Sequence, residues 1–429
     1  MPRILILAAT TGYQIRAFGA AAERLGVDLV YATDRCSALS DPWQDDAVPI
    51  RFDDDGGAVA TIMERAATAP IDGVIAVGDK PAVLAARVCQ EIGVPWHTPE
   101  GAVTAGNKML TRRRMRDAGV PTPMFIDVPV TVDPQRLAEG LTFPCVVKPL
   151  TLSGSRGVVR VDNPTELAAA LSRLRLLLSS PDIRRSPGGI HDLVLVEDFV
   201  DGAEFAVEGL MNHGVLDVLA LFDKPDPLDG PFFEETIYVT PSVVPPELQK
   251  GIVAAVGSVA RVLGLVHGPI HAECRANSRG VFVLEVAPRP IGGLCSRALR
   301  FRRRRDDPDA PQSSLEEVLL RHALGEPSDR WCRETAASGV MMIPIPKRGV
   351  FRHVAGLDDA RQVHGVDDIR ITAKLDQLLV PIPEGASYLG FIFARADETR
   401  LAEQALRAAH ARLRFTIDPE LRMVRSAYG

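Results

Sequence analysis

The chain opens on an apolar run, Ile4-Leu5-Ile6-Leu7, after which Ile15, Phe18, Ala22 and Leu25 recur at helical spacing up to Gly26. That pattern predicts a strand, a loop over Ala8–Gly12, and an amphipathic helix stopped by a glycine. Val27–Tyr31 and Ile71–Val77 read as further strands, and Asp79 followed by Pro81 marks another helix start. Strand–helix alternation over residues 1–97 predicts an α/β unit with a doubly wound, mostly parallel sheet. From Thr98 to about Thr335 strands outnumber helices. A helix over Lys108–Ala118 stops at Gly119, and Pro144–Val161 predicts two strands around a glycine–serine turn. Ser179–Asp192 is loop by composition. Residues 336–429 predict an α+β unit, with strands at Val340–Ile345, Ile369–Lys374, Leu378–Ile382 and Tyr388–Ala394. Its last helix presents Leu401, Ala405, Ala409 and Leu413 on one face. The expected organisation is therefore 1–97, 98–335 with a small subdomain over about 121–200, and 336–429.

Composition narrows the function without naming it. The length of 429 residues fits two or three domains at about 150 residues each. Lys+Arg is 49 against Asp+Glu 55, a formal charge of −6, so no global basic footprint marks a nucleic-acid binder. No apolar run is long enough to span a membrane. The N-terminus has no cleavage signature, which points to the cytoplasm rather than secretion. The cysteines at 36, 89, 145, 274, 295 and 332 include no C-x-x-C pair, which fits a reducing compartment. Conventional P-loop, zincin, kinase and nucleophile-elbow motifs are missing.

Three constellations carry candidate chemistry. Lys148 lies inside the apolar strand Phe143-Pro-Cys-Val-Val-Lys148-Pro149 and shares a face with Val146, where a buried ammonium needs an anion. Ser153-Gly154-Ser155-Arg156-Gly157 follows at once. Its glycines permit positive φ and let backbone N–H groups converge on phosphate oxygens; a plain hairpin turn is the competing reading. Glu197 ends the strand Val194–Val200, either facing water or offering an acceptor to a base edge. Glu273 and Glu285 sit on two apolar runs joined by the turn-like Ala276–Gly280, which predicts a hairpin. Adjacent carboxylates repel unless a cation lies between them, and Mg²⁺ prefers such hard oxygens. Arg289, four residues on, offers a fork to phosphate or carboxylate. His271 faces the same way as Glu273, as a structural histidine or one that orients a ligand. Cys295 reads as a packed residue, and Arg300–Arg305 as a solvated basic loop.

In this order the parts resemble the ATP-grasp superfamily, in its biotin-carboxylase-like branch. The chain is most similar there to L-amino acid ligases and carnosine-synthase-like enzymes. The run Phe222-Asp-Lys224-Pro, then Pro231-Phe-Phe-Glu234-Glu-Thr, is typical of those ligases. The resemblance implies a pre-ATP-grasp domain, a central ATP-grasp fold and a C-terminal α+β lobe. It implies Lys108 and Lys148 as nucleotide lysines, Ser153, Gly154, Ser155 and Gly157 as the phosphate loop, Glu197 with Phe199 and Val200 as the adenine hinge, and Glu204 near the ribose. Glu273 and Glu285 become the metal carboxylates, and Arg289 with Lys148 the catalytic cations. ATP with Mg²⁺, or Mn²⁺ in its place, would activate a small-molecule carboxylate as an acyl phosphate for attack by an amine, with ADP and phosphate released. No nucleic acid or membrane partner is implied; a homodimer is compatible with the branch. A carboxylase, a small-molecule kinase and a catalytically inert ATP binder are the alternatives. Ala287 departs from the pattern, because the family often has an asparagine metal ligand there.

Overall fold

A computed structural model describes residues 1–9, 15–34, 46–184, 189–304 and 311–420. The expected loop at 8–12, Cys36, part of the 179–192 segment and Arg305 fall wholly or partly outside these residues.

The first unit is a four-stranded parallel sheet in the order Asp46–Pro49, Asp28–Thr33, Arg3–Ala8, Gly73–Val77. Alternation sorts the first strand between two cores. Leu5 and Leu7 pack with Ile62 and Leu84 from the helices Asp55–Thr68 and Asp79–Ile92. Ile4 and Ile6 pack with Phe18 of the helix Ile15–Leu25 and with Leu315 and Val318 of a helix far along the chain, Leu315–Ala323. The sheet is doubly wound, and one of its covering helices comes from another part of the chain.

The second unit is an antiparallel sheet of eight strands. It begins with Gly280–Ala287, Gly268–Asn277, Ala203–Asn212, Val215–Asp223 and Ile237–Thr240, backed by the helix Pro246–Leu263. The sheet then continues without a seam into Ala337–Ile343, Gly390–Ala396 and Val366–Ile371. The C-terminal lobe is thus welded to the central sheet across the expected limit near 335, because Ile237–Thr240 pairs with Ala337–Ile343. A three-stranded sheet and the helix Thr399–His410 complete the lobe. That helix buries Ala402, Ala405, Leu406 and Ala409, while Leu401 is 40% exposed. The expected face 401/405/409/413 is corrected by one position, since a stripe spaced strictly by four drifts off a 3.6-residue turn. Leu413 lies beyond the helix end.

A smaller four-stranded lid covers the central sheet: Phe125–Pro129, Leu193–Asp198, Cys145–Pro149 and Val159–Val161, with the helix Pro164–Leu178 behind them. Among the described residues no helix is long and apolar enough to cross a membrane.

Candidate active site

A cavity of about 1120 Å³ lies where the first sheet, the lid, the central sheet and the C-terminal lobe meet. Lys108, Lys148, Ser153, Gly154, Ser155, Glu197, Phe199, Val200, Glu204, Glu273, Glu285 and Arg289 all line it, drawn from segments up to 181 residues apart (289 − 108).

Lys148 sits on the lid strand beside Val146, both facing the cavity as alternation requires. Its Nζ donates to Oε1 of Glu197. The same carboxylate receives Nε of Arg112 at 2.8 Å and Nη2 at 3.3 Å. Arg112 is 1% exposed, on the helix Lys108–Asp117 one turn past Lys108. Two buried cations therefore share one carboxylate. Burial lowers Lys148 to about 8 although Glu197 opposes that shift. Burial alone would raise Glu197, but Arg112 and Lys148 outweigh it and hold the carboxyl down at about 2. Both oxygens of Glu197 are engaged by these cations, Oε1 twice and Oε2 once, so what its side chain offers a base edge is the lone pair left on Oε2. The backbone just beyond it remains available, since the Val200 N–H makes no hydrogen bond among the described residues. The Phe199 ring beside it is flanked by the Arg160 and Arg275 guanidinium carbons at 4.3 and 5.1 Å.

Lys108 links the loop to the hairpin. Its Nζ donates to the Leu152 carbonyl at 2.6 Å and lies 3.3 Å from Oε2 of Glu285. In the loop itself, Gly154 and Ser155 take φ of +63° and +54°, the left-handed turn that lets successive amides face one way. Gly157 departs from its expected role. Its N–H donates to the Pro383 carbonyl at 2.8 Å, and a Cβ there would lie 2.7 Å from Cγ of Pro149. It anchors the loop against the lid and the C-terminal lobe instead of lining the cavity.

Glu273 and Glu285 stand directly opposite each other in the predicted hairpin, with an irregularity in register between Glu273 and Cys274. This bulge brings both Leu284 and Glu285 to the cavity wall. Lys224 is the unforeseen neighbour. Its Nζ lies 2.8 Å from Glu204, 2.5 Å from Glu235 and 3.1 Å from Glu273. Glu204 also accepts Nε of Arg275 at 2.8 Å. Glu204 thus lines the cavity with one cation on each oxygen, which fixes its carboxylate in place. Burial would lower Lys224, yet the three carboxylates raise it well above the ordinary lysine value. Burial and the charge of Glu273 push Glu235 up to about 8, whereas Lys224 overcomes burial to hold Glu273 low. With Glu235 held towards its neutral form, Glu204 and Glu273 balance Lys224 and Arg275, and the third carboxylate develops its charge fully only beside a further cation.

Oxygens of Glu204, Glu235 and Glu273 lie within 4.8 Å of one another. The Lys224 ammonium contacts all three, so the oxygens left to a metal are those of Glu273 and of Glu285 opposite it, hard donors that suit Mg²⁺ rather than a thiophilic or imidazole-preferring metal. Ala287 faces the cavity and adds no donor.

Arg289 donates through Nε to Oδ1 of Asp79 at 2.5 Å. Asp79 begins a helix of the first unit. Burial would raise that carboxyl, but Arg289 holds it below the usual range. His271 places Nδ1 3.1 Å from the fully buried Glu208, and its Nε2 lies 4.0 Å from Glu273. His267 lies outside the cavity, stacked on His322 and tilted against His213. Cys295 is buried with its thiol pushed up by burial, as a packed residue should be.

Arg112, Lys224, Glu235 and Asp79 were the site residues that pattern reading missed. Arg112 had one available signal, its i+4 spacing from Lys108. Lys224 and Glu235 lay in a run noted only for its resemblance, and Asp79 looked like an ordinary helix start.

Three family models match the chain in order: the ATP-grasp N-terminal domain over residues 19–96, the ATP-grasp domain over 141–298, and the L-amino acid ligase C-terminal domain 2 over 341–418. Carnosine synthase 1 of Homo sapiens is 27% identical over 253 residues, covering 57% of this chain and 30% of that protein. Alanine–anticapsin ligase of Bacillus subtilis (strain 168) is 24% identical over 220 residues, covering 48% and 46%. The chain thus spans less than half the length of each of these relatives. The L-amino acid ligase structure from Bacillus licheniformis superposes with a TM-score of 0.76 at 24% identity, covering 97% of this chain and 99% of that one. Three consecutive domain matches over the same three-part fold place the chain in the ATP-grasp superfamily, with a C-terminal domain of the L-amino acid ligase type.

Proposed function

We propose that the chain is an ADP-forming carboxylate–amine ligase that joins amino acids or related small molecules through an acyl phosphate. The observation that carries this reading is the charge pattern of one cavity. Lys108, Lys148 and the Ser153–Ser155 amides form a cationic, donor-rich end, and Glu235, Glu273 and Glu285 form an anionic end with Arg289 close by. The first end suits the phosphates of ATP, and the second suits Mg²⁺ or Mn²⁺ together with a substrate ammonium.

In this reading the substrate carboxylate attacks the γ-phosphate while Lys148 and the loop amides hold the phosphate oxygens in line. A divalent ion held by Glu273 and Glu285 would neutralise charge on the phosphates. Arg289, fixed by Asp79, stabilises the acyl phosphate and the oxyanion formed when the amine attacks. The amine expels phosphate, and the closed loop keeps water from the intermediate. An amino acid fits the acid site because its ammonium would draw Glu235 into the charged form next to Glu273, beside apolar Met342, Tyr388 and Phe391.

The test is phosphate release with ATP and Mg²⁺ across amino acids added singly and in pairs. Phosphate that appears only with a productive pair, accompanied by an amide and abolished in Glu285→Gln, supports the ligase. A phosphorylated product without amide sinks it, and ATP binding without turnover on any pair favours the inert binder or a substrate class outside the panel.

A further inference from the structure

The phosphate loop is tied to the C-terminal lobe at points that nucleotide binding does not require. Gly157 N–H donates to the Pro383 carbonyl at 2.8 Å, and Arg156 Nε donates to the Glu384 carbonyl at 2.9 Å. The Glu384 side chain then reaches the lid helix, where Arg173 donates to it through both Nε and Nη2. The turn bearing Glu384 is closed by Gly385 N–H to the Pro381 carbonyl at 2.9 Å. A Cβ on Gly385 would meet the Val380 carbonyl at 1.8 Å, so only glycine fits there. Directly after the turn, Ala386, Ser387 and Tyr388 line the main cavity.

We infer that the turn 381–385 is a latch by which the C-terminal lobe positions the phosphate loop, with Glu384 as its positioning residue. The lid cannot lift away from the C-terminal lobe without breaking these contacts. Their strength suits a gate. The Arg173–Glu384 pair is partly exposed, with side chains 45% and 34% accessible, so it holds weakly and releases readily. The stretch from Glu384 to Tyr388 also joins the latch to the substrate wall within five residues. A substrate side chain that packs on Tyr388 therefore steadies the turn that holds the loop closed. Closure would then respond to the occupied substrate site as well as to ATP.

Part of the test rests on the ligase reading and part does not. Hydrogen exchange of residues 153–158 is measured with ADP and Mg²⁺ bound, in wild type, Glu384→Ala, Arg173→Glu, Glu384→Arg and the Arg173→Glu/Glu384→Arg double variant. Glu384→Ala should speed exchange by about two- to fivefold, the range expected for losing one partly exposed ion pair. Each single charge reversal should do more, and the double reversal should return exchange toward wild type. In the activity arm, phosphate released without amide should rise in step with exchange. Unchanged exchange in Glu384→Ala, or a double variant no better than its singles, overturns the latch. If wild type makes no amide from any pair, the ligase reading fails, and the exchange arm still decides the latch.

Discussion

Lys148 and Lys224 are both buried lysines, the first lining the cavity and the second touching three carboxylates that line it, and their surroundings drive them in opposite directions. Lys148 shares its single carboxylate, Glu197, with Arg112, and burial takes it down to about 8. Lys224 touches three carboxylates, of which only Glu204 has a second cation, and it is raised well above the ordinary value despite burial. The residue type is the same and the depth is similar, at 6% and 8% exposure. What differs is local charge balance, and that balance indicates what each end of the cavity still needs. A site with a cation to spare favours an incoming anion, and a site whose third carboxylate stays protonated for want of a cation favours a metal ion or an ammonium.

The largest expected effect comes from removing each lysine in turn. Lys224→Met strands Glu235 and Glu273 without their cation and should cost about 3–5 kcal/mol, the usual penalty for breaking a buried charge pair. Lys148→Met leaves Glu197 paired with Arg112, so it should cost only about 1–2 kcal/mol in stability. Its turnover, however, should fall by roughly 10²–10³-fold, as when a preorganised transition-state donor is removed. Denaturant melts and steady-state kinetics on both variants check the pair. Equal destabilisation by the two would break the comparison.

Glu285→Gln comes next. Lys108 retains the Leu152 carbonyl when this carboxylate is neutralised, so stability should hold within about 1 kcal/mol. The anionic end loses a metal oxygen, and Mg²⁺ affinity should fall by about tenfold or more. Titration with Mg²⁺ or Mn²⁺ alone reads this directly. Unchanged metal affinity would remove Glu285 from the donor set.

The comparison also shows which parts of the site were legible in the sequence. Lys148 stood out because a lysine among alternating apolar residues has a known face and an obvious deficit. Glu273 and Glu285 stood out because a short turn fixes the pairing of two neighbouring strands. Both signals are local. The counter-charges are not: Glu197 meets Arg112 across 85 residues, and Asp79 meets Arg289 across 210. Those partnerships depend on how separate elements dock, which no periodicity encodes. For that reason Glu197 and Glu204 could be located on the cavity wall while the cations that hold their oxygens could not be foreseen. The continuation of the central sheet into the C-terminal lobe was hidden in the same way, since Ile237–Thr240 and Ala337–Ile343 are ordinary apolar strands until they pair.

A pH series sharpens the contrast with a smaller effect. Lys148 is mainly charged below about pH 8 and mainly neutral above it. An anion favours the charged form, so affinity for metal-free ADP should be flat below pH 8. It should then fall as pH rises, by up to about tenfold per unit. Lys148→Arg keeps its charge and should flatten the profile. Glu235, pushed up to about 8, gains negative charge over the same interval. Affinity for Mg²⁺ alone should therefore rise where nucleotide affinity falls. Calorimetry of the two ligands in separate series reads both slopes, and parallel slopes would contradict the assignment of opposite charge surpluses.

Tyr238 provides the finest adjustment, because it touches only the anionic end. Its hydroxyl donates to Oε1 of Glu273 at 3.3 Å, and its ring lies 4.8 Å from the Lys224 ammonium. Tyr238→Phe keeps the ring over Lys224 and removes a long hydrogen bond to a carboxylate, which should cost about 1 kcal/mol or less. Losing that donor leaves Glu273 a better ligand, so Mg²⁺ should bind the same or slightly more tightly. Nucleotide affinity at the Lys148 end should not change. Tyr238→Leu also removes the cation–π contact, worth about 0.5–2 kcal/mol, and should destabilise further while leaving the nucleotide end untouched. If Tyr238→Phe weakened ADP binding as much as metal binding, the two ends would be one electrostatic unit, and the opposite behaviour of Lys148 and Lys224 would need another cause than local charge balance.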